Sequence, residues 1–167
     1  AGGLISATNT YICIIAAKNH YDGLYELTFA NYHPSLNPGY TGDVVEVELW
    51  TTGGNTNKIY WDGGFYNPAL ISGSISAFGN QEPEYTFDAA TNGVTVQNGS
   101  AAATTFYTMN STYNSRFEET DLDGSGAIDG EGERMIYCKW GYRYTAGAFD
   151  PATTREWTQE FKYLGPR

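Results

Sequence analysis

The sequence predicts a single all-β domain, and three observations carry that reading. Apolar and polar residues alternate with period two along most of the chain. Gly, Asn, Asp and Pro interrupt the alternation at short intervals, as turns between strands require. Stretches with helical spacing are nearly absent. Short sequential connections favour an antiparallel meander, with a closed calycin-like barrel favoured and a β-sandwich as the alternative.

The elements follow in order. LYELTF at 24–29 puts Tyr25, Leu27 and Phe29 on one face, and VVEVELW sets Val45, Val47 and Leu49 against Glu46 and Glu48. RMIYCKWGYRY groups Ile136, Cys138, Trp140 and Tyr142 opposite Lys139 and Arg143. REWTQEFKY sets Trp157, Phe161 and Tyr163 against Glu156, Thr158, Glu160 and Lys162. Such strands bury one face and show the other to water. Strand text lies near residues 10–17, 23–32, 43–52, 57–61, 69–76, 83–88, 93–97, 104–109, 112–119, 133–145 and 155–164, about nine strands once neighbours merge. NPGYTGD, TTGGNTN, WDGG, DAATNG, QNGS and FDPATT are the turns between them. With 167 residues the chain can bury a full core. It divides into an N-terminal segment with a first strand, 1–17, and one all-β domain, 18–167.

Composition narrows the function. A formal charge of −10 argues against nucleic acid and against anionic membrane surfaces. No stretch is long and apolar enough to span a bilayer, and AGGLISATNT lacks the pattern of a signal peptide. Charged residues are 17% and aromatics 16%, with 14 Tyr and 20 Gly, a balance that points to an extracytoplasmic home. The two cysteines, Cys13 and Cys138, sit in strand-like text and read either as buried thiols or as a disulfide joining an early strand to a late one.

Several phrases in a fixed order carry a resemblance: KNHYDGLYELTFANYHP at 18–34, VEVELWTTGGNTNKIYW at 45–61, YTFDAATNGVTVQNG at 85–99, then MIYCKWGYRY and REWTQEFKYLGPR. Residues 18–167 resemble the C-terminal domain of Bacteroidetes surface lipoproteins of unknown function encoded beside starch-utilisation-type outer-membrane importers. The resemblance implies a secreted or lipid-anchored protein at the outer-membrane surface that helps capture glycans or other nutrients. It also implies an importer or a neighbouring domain as partner. The chain departs from the pattern where ETDLDGSGAIDGEGE replaces a plain hairpin turn.

That insertion concentrates seven of the chain's 19 carboxylates within residues 118–133. On a calcium-loop template Asp121, Asp123 and Ser125 fall at positions 1, 3 and 5, and Gly126 at the sharp turn. Ala127 offers its carbonyl at position 7 and Asp129 falls at position 9. Position 12 is Gly132 rather than the usual Glu, flanked by Glu131 and Glu133. Both flanks read as strands, so the expectation is one structural Ca²⁺ clasping a β-hairpin, against the simpler alternative of a solvated Asp-Gly turn.

The run NKIYWDGGFYNP places Tyr60, Trp61, Asp62, Phe65, Tyr66 and Asn67 around a Gly-Gly turn. Sugar C–H faces stack on aromatic rings while Asp and Asn bond hydroxyls, so these six form the candidate ligand site; Trp61 and Phe65 also fit a core role. Catalytic motifs are missing: no GxSxG, no HExxH, no phosphate loop and no paired Cys nucleophile. Glu46, Glu48, Glu156 and Glu160 fall on the solvent faces of strands. The expectation is a non-enzymatic domain that binds a polysaccharide, oligosaccharide or other nutrient. A structural or assembly module is the alternative, and a glycan-cleaving enzyme ranks third.

Overall fold

The computed structural model describes residues 17–35, 37–68, 70–71, 74–75, 79–99, 105–109, 113–145 and 147–167. The strands are β1 (Gly23–His33), β2 (Asn37–Thr51), β3 (Thr56–Tyr60), β4 (Leu70–Ile71), β5 (Ser74–Ile75), β6 (Pro83–Asp88), β7 (Gly93–Asn98), β8 (Thr105–Thr108), β9 (Arg116–Glu119), β10 (Arg134–Arg143) and β11 (Arg155–Gly165). The expected strand near 10–17, residue 17 apart, lies outside the described residues, as does Cys13. The text at 69–76 is two two-residue strands paired with each other, and that at 112–119 is ordered as a strand only from Arg116.

Eight strands close into an antiparallel ring in the order β1-β2-β3-β6-β7-β9-β10-β11, with β11 returning to β1. Closure removes the open edges of a flat sheet and replaces the sandwich alternative with a barrel. The extra strand β8 shares one edge of β10 with β9: Arg134 to Tyr137 pair with β9, and Trp140 to Arg143 pair with β8. Between β7 and β9 the ladder is a single pair, Gly93↔Arg116. Further along, Thr108 takes over, its hydroxyl accepting from Val96 N at 2.8 Å.

Alternation fixes which side chains fill the barrel. Tyr25, Leu27 and Phe29 are buried from β1, Val47 and Leu49 from β2, Tyr85 and Phe87 from β6, and Val94 and Val96 from β7. From β10 come Ile136, Cys138, Trp140 and Tyr142, and from β11 Trp157, Phe161 and Tyr163. An eight-stranded barrel is about as wide as its side chains can fill, and here aromatic rings fill it. Trp140 and Trp157 are directly opposite in register and stack at 5.6 Å. Phe106 stacks on Trp140 at 5.0 Å, and Phe29 packs on Trp157 at 6.1 Å. The rings thus form a slab across β8, β10, β11 and β1. Burial pushes the Cys138 thiol up to about 12, so it behaves as a small apolar group.

Two polar devices are built into this interior. Gln159 is fully buried, and its Oε1 accepts from Tyr85 OH and from Trp140 Nε1, each at 2.7 Å. Its Nε2 donates to Asn67 Oδ1 at 3.4 Å, and Asn67 Nδ2 donates to Gln81 O at 3.1 Å. At one end Arg134, 1% exposed, donates to Glu119 at 2.6 Å and to Tyr25 OH at 3.2 Å, and lies over the ring of Tyr163 at 5.0 Å. Tyr21 closes that end by stacking on Phe87 at 3.9 Å.

Replacing Gln159 with Leu keeps the volume but orphans the Tyr85 hydroxyl and the Trp140 indole N–H. Each buried polar group left unpaired costs about 1–3 kcal/mol, so Gln159→Leu is expected to lose about 2–6 kcal/mol in urea denaturation. The outward neighbour serves as control: Thr158→Val should stay within about 0.5 kcal/mol. Equal effects from the two would mean that the buried network contributes nothing.

Candidate functional site: an outer-wall groove and an acidic loop

The outer wall of β1–β2–β3 carries the first candidate site. Register places Leu24 opposite Glu48, and Glu48 opposite Tyr60, so the three outward side chains lie in a row across three strands. Beyond Tyr60 the chain reverses in a two-residue turn in which Trp61 and Gly64 exchange backbone hydrogen bonds at 2.8 and 3.1 Å. Asp62 and Gly63 hold φ of 51° and 81°, left-handed values that Asp tolerates and Gly adopts without strain. Leu24, Glu46, Val47, Glu48, Tyr60, Trp61 and Asp62 line a shallow groove of about 150 Å³ at this turn.

Beside the groove stands an aromatic shelf. Trp50 stacks on Tyr60 at 4.4 Å, and Phe65 meets both rings edge-on at 6.0 and 5.7 Å. The Arg167 guanidinium lies over Trp50 at 4.3 Å, and Trp50 Nε1 donates to Glu48 Oε2 at 2.6 Å. Arg167 also grips Asp22, whose side chain is 1% exposed, with Nε at 2.8 Å and Nη2 at 2.9 Å. Thr51 donates to the same carboxylate through its N–H and its hydroxyl, each at 2.9 Å. Burial alone would raise the Asp22 pKa, but the bonds from Arg167 and Thr51 outweigh it and hold the carboxyl below its ordinary range.

Of the six residues expected here, Tyr60, Trp61, Asp62 and Phe65 gather around the groove and shelf. Trp61 lines the groove while packing partly on the core. Tyr66 is half-buried with its ring against Gly64, where an added Cβ would sit 2.4 Å from it. Asn67 is fully buried and bonded to Gln159 and Gln81, so it belongs to the barrel interior and not to a surface site. Trp50, Glu46, Glu48 and Arg167 belong to the site and were not singled out as ligand residues. Trp50 alternates outward from Leu49, and that parity was the available signal.

The second candidate is the loop between β9 and β10. Asp121 Oδ1 accepts from Gly124 N at 2.6 Å and Ser125 N at 3.1 Å, while its Oδ2 accepts from Gly126 N at 2.9 Å. Asp123 Oδ1 accepts from Ser125 N at 2.8 Å, and Ser125 Oγ from Ala127 N at 3.2 Å. Gly124 and Gly126 have φ of 75° and 82°, which lets the backbone curl round the Asp121 carboxylate. Glu133, 2% exposed, closes the loop by accepting from Leu122 N, Asp129 N and Gly130 N at 2.7 to 2.9 Å. These N–H donors hold both carboxyls below their ordinary range, Gly126 leading for Asp121 and Gly130 for Glu133.

One carboxylate oxygen from each of Asp121, Asp123 and Glu133 lies within 4.8 Å of the others, a group that can hold a metal ion. The acidic residue closing the loop is therefore Glu133, one position beyond Gly132. Glu131 turns outward to Lys162 Nζ. Asp129 is exposed and outside the trio, and it lends Glu133 its backbone N–H. Ser125 and Ala127 are exposed on the same loop. The loop is anchored to the barrel by Thr120 N donating to Glu133 O and by Gly132 N donating to Tyr163 O, both at 2.8 Å.

Fold and surface together define an eight-stranded meander barrel with an acidic loop at one hairpin and an aromatic groove on its wall. No family model matches the sequence, and no curated protein matches it. Among solved structures it is similar to a Bacteroides ovatus protein of unknown function, at 12% identity and a TM-score of 0.52, over 87% of this chain and 42% of that one. It is also similar to a multidomain protein including DUF1735 from Bacteroides ovatus, at 8% identity and a TM-score of 0.47, over 86% of this chain and 56% of that one. The chain thus spans about half, or less, of the length of these proteins.

The Asp22–Arg167 clasp makes stability depend on acid. Because the folded carboxyl titrates below the ordinary 3.8, its contribution is complete above that value and is lost as pH falls through the folded pKa. Asp22→Asn is expected to cost about 2 kcal/mol at neutral pH. The gap to the parent protein should close below pH 3.8. Denaturant melts across that range check this, and a gap that persists at the lowest pH would mean that the charge is not what Arg167 reads.

Proposed function

We propose that the protein is a non-enzymatic glycan- or nutrient-binding domain at a bacterial cell surface, outside the cytoplasm, stabilised by one Ca²⁺. The observation that carries this reading is the groove at Asp62, where the Tyr60 and Trp61 rings meet carboxylates on a rigid β-sheet wall. Sugar rings offer C–H faces to aromatic side chains and hydroxyls to carboxylates, and a site built on strands holds both in place. The groove is shallow, which suits an extended chain lying along the wall better than a small molecule engulfed by it. The resemblance of residues 18–167 to surface lipoproteins encoded beside glycan importers supports the location and the presence of a neighbouring importer or domain.

Ca²⁺ is the cation best matched to the loop. Asp121, Asp123 and Glu133 are hard oxygen donors, the exposed Ser125 and Asp129 stand beside them, and Ca²⁺ takes six to eight such ligands in flexible geometry. The metal would neutralise carboxylates whose mutual repulsion otherwise loosens the hairpin.

A second reading, an assembly module, draws on Tyr144 and Phe149, which are 50% and 45% exposed near the β10–β11 turn.

Two experiments test these readings. In affinity electrophoresis through neutral polysaccharides at least one should retard the protein, with Tyr60→Ala weakening retardation about tenfold, the loss of a stacking contact of about 1.4 kcal/mol. Free migration through every polysaccharide would remove the glycan reading. For the metal, chelator should lower the melting temperature and Ca²⁺ restore it, because a ligand bound only by the folded state stabilises that state. Glu133→Gln should abolish the Ca²⁺ response. A melt indifferent to Ca²⁺ would leave the loop as a self-contained Asp-Gly turn.

A further inference from the structure

The groove has a charge preference as well as a shape. Glu46 and Asp62 have no cationic partner among the described residues, whereas Glu48 is bonded to Trp50 Nε1 and lies 3.9 Å from Arg167 Nη1. Register adds a fourth acid, setting Glu26 directly opposite Glu46 on the same outward face. Lys162 stands opposite Glu26 on β11, where it feels that carboxylate while ion-paired with Glu131, so it offsets Glu26 and leaves Glu46 and Asp62 unpaired. Like charges facing each other across strands are destabilising, so this wall holds a standing repulsion that a bound cation would relieve. No basic side chain among the described residues lines the groove. Two of its lining residues, Tyr60 and Trp61, are aromatic, and the faces of such rings attract ammonium groups.

We propose that the groove selects glycans carrying a protonated amine over neutral ones, and neutral ones over glycans carrying acids. This rests on the glycan reading above and makes it specific. An amine-bearing sugar stacks its ring on Tyr60 or Trp61 and sets its ammonium between Glu46 and Asp62. A uronic acid in the same place meets two unpaired carboxylates. Because the groove is shallow and open to water, each ion pair is individually weak, and the preference comes from the two carboxylates and the rings acting together. Two exposed ion pairs and one ring contact together give a preference of about tenfold, which salt should erode.

The test uses a glucosamine oligomer, its N-acetylated counterpart and a uronic-acid oligomer of equal length, titrated calorimetrically at a pH where the amines are protonated. The expected order is amine tightest, by about tenfold over the acetylated form, with the uronic acid weakest. The amine-to-acetyl ratio should fall toward one in the double variant Glu46→Gln, Asp62→Asn and at high salt. Equal binding of the amine and acetylated oligomers overturns the charge preference and leaves the glycan reading standing. A preference that survives in the double variant also overturns it, since it would then reflect the overall negative charge of the protein. Binding of none of the three, with the protein still folded by its melt, removes the glycan reading and the preference together.

Discussion

The barrel depends on one uncharged side chain. Gln159 sits at an inward position of β11, where alternation calls for an apolar residue, and three separate parts of the fold meet at it. Tyr85 comes from β6, Trp140 from β10, and Asn67 from the segment after the Asp62 turn, and each is bonded to the same amide. An amide can serve both donors and acceptors, which neither a carboxylate nor an ammonium could do in this place. With its bonds made, the Trp140 ring is oriented for its stack on Trp157 and the aromatic slab has a fixed plane. The same bonds pull Asn67 inward, and that anchors the far end of the segment whose near end shapes the groove. Wall and interior are therefore coupled through a residue that touches neither water nor ligand.

Much of the fold was legible because period two is a strong signal when one face is fully buried. Tyr25, Leu27, Phe29, Val47, Leu49, Ile136, Cys138, Trp140, Tyr142, Trp157, Phe161 and Tyr163 all point inward as alternation requires. The closed barrel, favoured over the sandwich, follows from β10–β11–β1 pairing in sequence with no face left open. Charged residues inside were not legible. Arg134 and Glu133 are adjacent, and both are buried, because one is held by Glu119 and Tyr25 and the other by three backbone N–H groups. Such partners come from distant positions or from backbone, and neither leaves a mark in local pattern.

The candidate sites divide along the same line. The acidic loop is nearly self-contained, so template spacing names Asp121 and Asp123, which the structure gathers with Glu133, one residue beyond Gly132, into a group that could hold a metal. The choice between Glu131 and Glu133 was made by a neighbour on β11: Lys162 draws Glu131 outward. The groove, by contrast, is assembled from three strands. A contiguous run such as YWDGGFYN could name Tyr60, Trp61, Asp62 and Phe65 but could not show that Asn67 turns inside, nor that Glu46, Glu48 and Trp50 arrive from the neighbouring strand.

The ring is uneven in one further respect. β11 is laddered to both neighbours along most of its length, but β7 meets β9 through a single residue pair, and a threonine hydroxyl supplies the next bond. Two short strands laid end to end along β10 close the cylinder where one long strand would ordinarily do so. Opening between β7 and these two breaks few backbone bonds, whereas opening at β11 breaks whole ladders. Amide protons on the β7 side should therefore meet solvent through small local openings, and those of β11 only when the whole barrel unfolds. The cylinder has a seam, and its breathing is concentrated there, away from the wall that carries the groove.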